Sequence, residues 1–198
     1  MWIQGVAIRP VPAFAVIDGD ILERIERDLA ADEAEGRCRV DEAFRRFERT
    51  QPVLADAMST LLSKPLDETA LALGHFLSVA VWLAFERVFG SRLGQVNDES
   101  WRAVDESIGL EEELRADRGH EPIEFDDVVL VQQPRVMAFI YEHLDVALDV
   151  AARAEDEGNC EVDVDDVHAV YRALLVMVLA LSYSVAPIAG ALSDEHVA

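Results

Sequence analysis

Positive charge is scarce in this sequence, and lysine is nearly missing from it. The 198 residues contain 17 Lys and Arg against 39 Asp and Glu, which gives a formal net charge of −22, and Lys64 is the one lysine. A field of this sign repels polyanions, so we expect no nucleic-acid partner and no binding to an anionic membrane surface. The excess of Asp and Glu fits either a surface adapted to high salt or a recognition surface for a basic partner. The spread of the acidic residues along the whole chain favours the first.

Cysteine is scarce as well. Cys38 and Cys160 both lie in segments predicted to be polar connections. Two cysteines allow one disulfide at most, so a framework of several disulfides is excluded. The sequence does not open with a basic segment followed by a short apolar one, which is the pattern typical of a secretory signal. We therefore expect reduced thiols and a cytoplasmic location.

The familiar patterns for catalysis and cofactor binding are also missing. The segment from Gly90 to Gly94 has neither the preceding strand nor the following Lys-Ser/Thr of a phosphate-binding loop. A bridged metal pair in a helical bundle requires Glu-x-x-His motifs, and this chain has none, although Asp165-Asp166-Val167-His168 has the same spacing with Asp in place of Glu. Those acids stand at a helix start, where they serve as caps. We therefore predict no catalytic residues, no cofactor, no cofactor-binding residues and no metal ligands.

What the sequence does contain is two long apolar runs. Residues 70–85 span 16 positions without a charge, and residues 173–193 span 21. A helix that is apolar on all sides must be enclosed by protein or by lipid. The surrounding segments are amphipathic with helical periodicity, which provides the enclosing surfaces. We therefore predict an all-α, single-domain helical bundle of about six or seven helices, with two central apolar helices at 67–89 and 165–186.

Residues 1–19 differ from the rest of the chain. Pro10 and Pro12 each remove a backbone donor, and Asp18-Gly19 indicates a turn, so this segment cannot be a central strand. We predict an extended N-terminal arm over residues 1–19, followed by the helical bundle domain over residues 20–198. A short strand or hairpin within the arm is compatible with this pattern.

Cap and turn residues predict the limits of the outer helices. Asp20 caps the first helix and Gly36 ends it, while Pro52 and Pro134 each suit a first helical turn. The expected outer helices cover residues 20–36, a short segment around Val40–Phe47, 52–65, 98–116 and 134–154. Connections are expected at 117–133 and 155–162.

The charge-free run near the C-terminus also meets the length requirement for a membrane-spanning helix. Pro187 and Gly190 interrupt it, however, and leave about 14 helical residues, or roughly 21 Å, after Arg172. Acidic residues rather than a cluster of Lys and Arg follow the run. Burial in a protein core is therefore the preferred interpretation, and a C-terminal tail anchor is the alternative.

The sequence also contains a weak internal similarity. Gln51-Pro52 and Gln133-Pro134 each precede a helix that is followed by an acid-started apolar helix, and residues 51–67 match residues 133–149 at Gln, Pro, two Leu and the last Asp. Two interpretations stay open: an internal duplication, or a chance match between helices rich in Leu and Ala.

Three functions follow from these patterns. The first is a soluble, acidic protein-interaction or regulatory module without catalytic activity, which acts through helix faces on a protein partner or in a homo-oligomer such as a homodimer. The second is a small-ligand-binding or metal-binding helical-bundle enzyme with a polar site between the central helices. The third is a tail-anchored membrane adaptor. The titratable groups within reach of a polar site of the second kind are His75, Glu86, Tyr141, His143 and His168.

Overall fold

Seven α-helices make up most of the fold in the computed structural model, which describes residues 8–18, 20–29, 33–117, 132–156 and 163–188. Within these residues there is no strand, only one antiparallel bridge between Leu93 and Val185. The prediction of an all-α bundle of about six or seven helices is confirmed. The helices are α1 (Ile21–Leu29), α2 (Glu33–Thr50), α3 (Pro52–Leu62), α4 (Glu68–Phe89), α5 (Asp98–Asp117), α6 (Pro134–Asp156) and α7 (Val164–Ser184).

Helices α4 and α7 pack against each other at the centre, as the two charge-free runs predicted. Nine consecutive residues are buried in each of them, at 77–85 and 174–182. Their N-termini also meet. The Asp67 carboxylate caps α4 by accepting from Ala70 N at 2.8 Å, and it also accepts from the backbone N–H of Asp163, the cap of α7, at 3.2 Å. Carboxylates thus satisfy the free backbone donors at both helix starts.

Two predicted boundaries were wrong. Gly36 does not end a helix, because α2 already begins at Glu33 and continues to Thr50. A glycine in a helix costs only about 1 kcal/mol relative to Ala, which the burial of Ala43 and Phe47 on α2 offsets. The last central helix ends at Ser184 rather than at 186. The chain turns extended there because Ser184 O accepts from Gly94 N at 2.9 Å, and the pairing continues beyond Val185.

The arm is extended over most of its described part, residues 8–18. A single 3-10 turn at Ala13–Ala15 interrupts it, and Ile8, Ala15 and Ile17 are buried against the helices. Residues 1–7 and 19 of the predicted arm lie outside the described residues, as do 118–131 and 157–162 of the predicted connections and 189–198 of the C-terminal charge-free run.

Two buried glutamines hold the extended segments to the bundle. Gln51, which is 2% exposed, donates from Nε2 to Gly94 O and accepts at Oε1 from Val96 N, both at 2.9 Å. Gln133, which is fully buried, donates to Ala15 O at 2.8 Å and accepts from Ile17 N at 3.0 Å. Each side-chain amide therefore pairs with the carbonyl of one residue and the N–H of the second residue after it. We call these two arrangements the amide clamps.

The amide clamps are reciprocal between the parts of the chain before and after the turn Gly90–Arg92, which we call its two halves. Gln51 of the first half holds the extended segment of the second half, and Gln133 of the second half holds that of the first. Each half contains a clamped segment, a Gln-Pro helix and an Asp-capped central helix in the same order. The halves differ before the Gln-Pro helix, where the first half has two helices, α1 and α2, and the described part of the second half has only α5. Correspondingly, α1 packs on α4, and α5 packs on α7. This repetition favours the internal duplication, since a chance match between Leu-rich helices does not explain matching hydrogen bonds.

Candidate functional site

One part of α4 is not enclosed, although the sequence predicted enclosure on all sides. Leu71 is 41% exposed and Ala72 is also exposed, whereas residues 77–85 of the same helix are buried. The exposed part forms one wall of an open groove of about 640 Å³ between α2, α3 and α4. We call it the α2–α4 groove. Its lining consists of Phe44, Ser59, Leu62, Ser63, Glu68, Leu71, Ala72 and His75.

The helical repeat places these side chains on one surface. Glu68, Leu71, Ala72 and His75 occupy positions i, i+3, i+4 and i+7 of α4, which share a face of the helix. Gly74 lies beside them and is buried between α3 and α7. A Cβ at Gly74 would come 2.6 Å from Leu62 Cδ2 and 3.4 Å from the Val170 side chain. The missing side chain thus lets Leu62 reach across to α4 and form part of the groove.

His75 is the one titratable imidazole in the groove lining. Its ring lies against the Phe44 ring, with 4.8 Å between the centroids. Partial burial lowers the pKa of His75 below the ordinary 6.5, and the negative charge of Asp41 offsets part of that effect. The imidazole is therefore mostly neutral at pH 7, and the groove presents an apolar wall with polar edges rather than a cationic one.

This shift of the His75 pKa predicts a pH dependence of stability. Because the pKa of His75 is lower in the folded state, the unfolded chain binds the proton at a higher pH than the folded protein does. The free energy of unfolding therefore falls as the pH drops from about 6.5 towards the pKa of His75 in the folded protein. We expect His75→Gln to reduce that fall between about pH 7 and pH 5, measured by urea titration at each pH. His168→Gln, on an exposed position of α7, is the matched control. An identical pH profile for wild type and His75→Gln would contradict the prediction.

The other titratable groups considered for a polar site lie elsewhere. Glu86 forms a salt bridge with Arg46 of α2 at 2.7 Å. Tyr141 and His168 both lie near the ring of Tyr171, with centroids 6.1 Å and 6.3 Å away. The structure thus places Tyr141 and His168 around one tyrosine, but it does not bring them together with His75 and Glu86.

His143 occupies yet another place, on α6. Its Nδ1–H donates to Phe139 O at 2.9 Å, and its Nε2 lies 3.4 Å from Glu26 Oε1 of α1. Phe76 and Phe139 flank the ring, with centroids 5.4 Å and 4.3 Å away. His143 therefore joins α6 to α1 and α4, and within the described residues the five groups do not converge on one polar pocket. No group of three or more His, Cys, Asp or Glu among the described residues is arranged to hold a metal ion.

The stretch Glu68–Arg92 is long and apolar enough to cross a membrane by length and composition, and 61% of its most apolar part is buried in the fold. It is the one such stretch among the described residues. The core helix of a water-soluble protein has the same properties, so this composition alone assigns no location to the chain.

Sequence reasoning did not find the α2–α4 groove. The run containing Leu71 and Ala72 is apolar on every face, so periodicity could not distinguish the face that packs from the face that stays open. The available signal was indirect, because Gly74 and Leu62 indicate a close helix approach only once α3 and α4 are known to be neighbours.

Comparison with known proteins supplied no further information: no protein-family model, no curated protein and no solved structure matches this chain.

Proposed function

We propose that this chain is a soluble, cytoplasmic protein-interaction module without catalytic activity, and that its α2–α4 groove binds an amphipathic helix with a basic polar face. The observation that carries the proposal is the open apolar wall on α4, a helix whose middle, residues 77–85, is buried. Leu71 of α4 and Phe44 of α2 give the groove the apolar character of sites that accept the apolar face of a partner helix.

The charge of the chain selects the sign of the partner. Glu68 lies in the groove lining, and Asp41 is close enough to influence the charge of His75. The whole chain carries −22, so a helix with Lys or Arg on its polar face is attracted both locally and at long range. A second copy brings a further −22 and its own Glu68 to the same place. A basic helical partner is therefore the favoured occupant over a homodimer.

A designed peptide tests this proposal. The probe is a fluorescein-labelled helix with Leu at i, i+3, i+4 and i+7 and Lys on its other faces, and its affinity is measured by fluorescence anisotropy. We expect Leu71→Glu to weaken binding about tenfold or more, because it removes an apolar contact with the leucines of the probe and places a carboxylate where those leucines would desolvate it. Leu110→Glu is the matched control, since Leu110 is 49% exposed on α5, outside the groove.

Three outcomes would contradict the proposal. Equal binding of a scrambled peptide with the same composition would show that charge alone attracts the probe. Equal binding by wild type and Leu71→Glu would place the contact elsewhere. A doubling of mass in light scattering that Leu71→Glu abolishes would identify a second copy as the occupant.

A further inference from the structure

A second cavity lies between the arm, the segment after α4, and the helices α5 and α7. Its volume is about 520 Å³, within the range of roughly 300–1,000 Å³ that is usual for small-molecule sites. We call it the α5–α7 cleft, and its residues are not shared with the α2–α4 groove. Helix α5 contributes Ser100, Ala103, Val104 and Ser107, and helix α7 contributes Leu179, Ala180, Tyr183 and Ser184.

The walls of this cleft are held in place by the fold. Gly94 and Val96 form part of the lining, and the Gln51 amide clamp binds both of them. A Cβ on Gly94 would lie 2.9 Å from Ser184 O, so the segment approaches α7 as closely as only a glycine allows. A cavity with fixed walls loses little conformational freedom when a ligand enters it, which favours binding.

The described residues of the lining contribute no negative charge. Among the described residues that line the cleft there is no Asp or Glu, although the chain contains 39 of them in 198 residues. The lining is instead apolar at Ile8, Val96, Val104 and Leu179, with hydroxyl groups from three serines. An anionic group that enters the cleft therefore meets no carboxylate from these residues.

Arg9 is the one charged side chain among the described residues of the lining. Its guanidinium lies over the ring of Tyr183, 4.1 Å from the centroid, and the Tyr183 hydroxyl donates to Arg9 O. Burial raises the pKa of Tyr183 to about 12, so its phenol stays neutral at physiological pH. Within the described part of the chain, no carboxylate pairs with Arg9. The described residues thus give the cleft a positive charge, from a guanidinium that stacks on the Tyr183 ring.

From this arrangement we infer that the α5–α7 cleft binds a small organic monoanion with an apolar body. The anionic group lies at the Arg9 guanidinium, and the apolar body packs against Val96, Val104 and Leu179. One guanidinium neutralises one negative charge, which favours a monoanion over a polyphosphate, and guanidinium is a strong donor to carboxylate oxygens. This inference is independent of the α2–α4 groove and of any partner helix.

Three probes of similar size and different charge test the inference: 3-phenylpropionate, 3-phenylpropanol and 3-phenylpropylammonium. Binding is measured by saturation-transfer difference NMR and titration at about 0.15 M salt, where screening limits the long-range repulsion from the acidic surface. We expect 3-phenylpropionate to bind about tenfold or more tightly than the alcohol, and the ammonium compound to bind least.

Matched variants locate the site. Arg9→Met should reduce the affinity for 3-phenylpropionate to that for the alcohol, while Arg102→Met, which removes the same charge from an exposed position of α5, should leave it unchanged. Ala103→Phe fills the cleft and should abolish binding of all three probes. Failure of the wild type to bind 3-phenylpropionate, equal affinity for the three probes, or unchanged binding by folded Arg9→Met or Ala103→Phe protein would each overturn the inference.

Discussion

Replacing Trp82 by Ala is expected to lower the free energy of unfolding by about 3–5 kcal/mol, the usual cost of deleting a large aromatic side chain from a core. Trp82 is fully buried in the middle of α4, with its ring 5.4 Å from the ring of Phe47 on α2. The Arg46 guanidinium also lies 5.2 Å from the indole. The variant therefore loses apolar burial, leaves a cavity and removes a cation–π contact.

Urea denaturation followed by circular dichroism measures this loss. The matched control is Leu71→Ala on the same helix, where 41% of the side chain is already in water and a much smaller change is expected. Since domains of this size have free energies of unfolding of about 5–15 kcal/mol, Trp82→Ala removes a large part of the total stability. A loss as small as that of the control would mean that α4 is not enclosed, and the arrangement of the bundle would then be wrong.

Replacing Gln133 by Leu is expected to cost about 2–5 kcal/mol, because it keeps the size of the side chain but removes its hydrogen bonds. The backbone carbonyl of Ala15 and the N–H of Ile17 both lose their amide partner in a buried place. The hydroxyl of Ser182 on α7 loses it as well, at 2.9 Å from Gln133 Nε2. Unsatisfied buried polar groups of this kind are the main cost, rather than the lost attraction itself.

The measurement is again the urea midpoint, and limited proteolysis of the arm provides an independent readout. Gln95→Leu is the control, since Gln95 is exposed and makes one hydrogen bond of 3.3 Å to Thr50 O. We expect a change within about 0.5 kcal/mol for this control. Equal stabilities of Gln133→Leu and Gln95→Leu would show that the arm is not held by the amide.

Much of the fold could be predicted from local signals in the sequence. Pro52 and Pro134 stand at the first position of α3 and α6, and Asp67 caps α4. Gly90 ends α4 with φ at +52°, a left-handed conformation that glycine adopts without strain. These residues act through their own backbone or through groups three residues away, so their effect can be read without knowing the tertiary structure.

The two wrong helix boundaries and the candidate sites depend on tertiary contacts. The end of α7 is set by backbone pairing with Gly94, far away in the sequence, and the helix pattern contains no trace of that pairing. The α2–α4 groove exists because three helices leave one face of α4 uncovered. The α5–α7 cleft exists because Arg9 and Tyr183 meet across 174 positions. No spacing rule within one segment predicts such meetings.

The reciprocal amide clamps also affect how the chain unfolds. Each half supplies the amide that completes the other half's extended segment, as exchanged arms do between domain-swapped subunits. Neither half alone can satisfy the buried backbone groups of its own tripeptide. Covalent linkage keeps the two halves at high effective concentration, so association requires no encounter between molecules. Unfolding of one half leaves the clamp amide and the buried backbone groups of the other half without their partners. The described helices should therefore lose their structure in a single cooperative step.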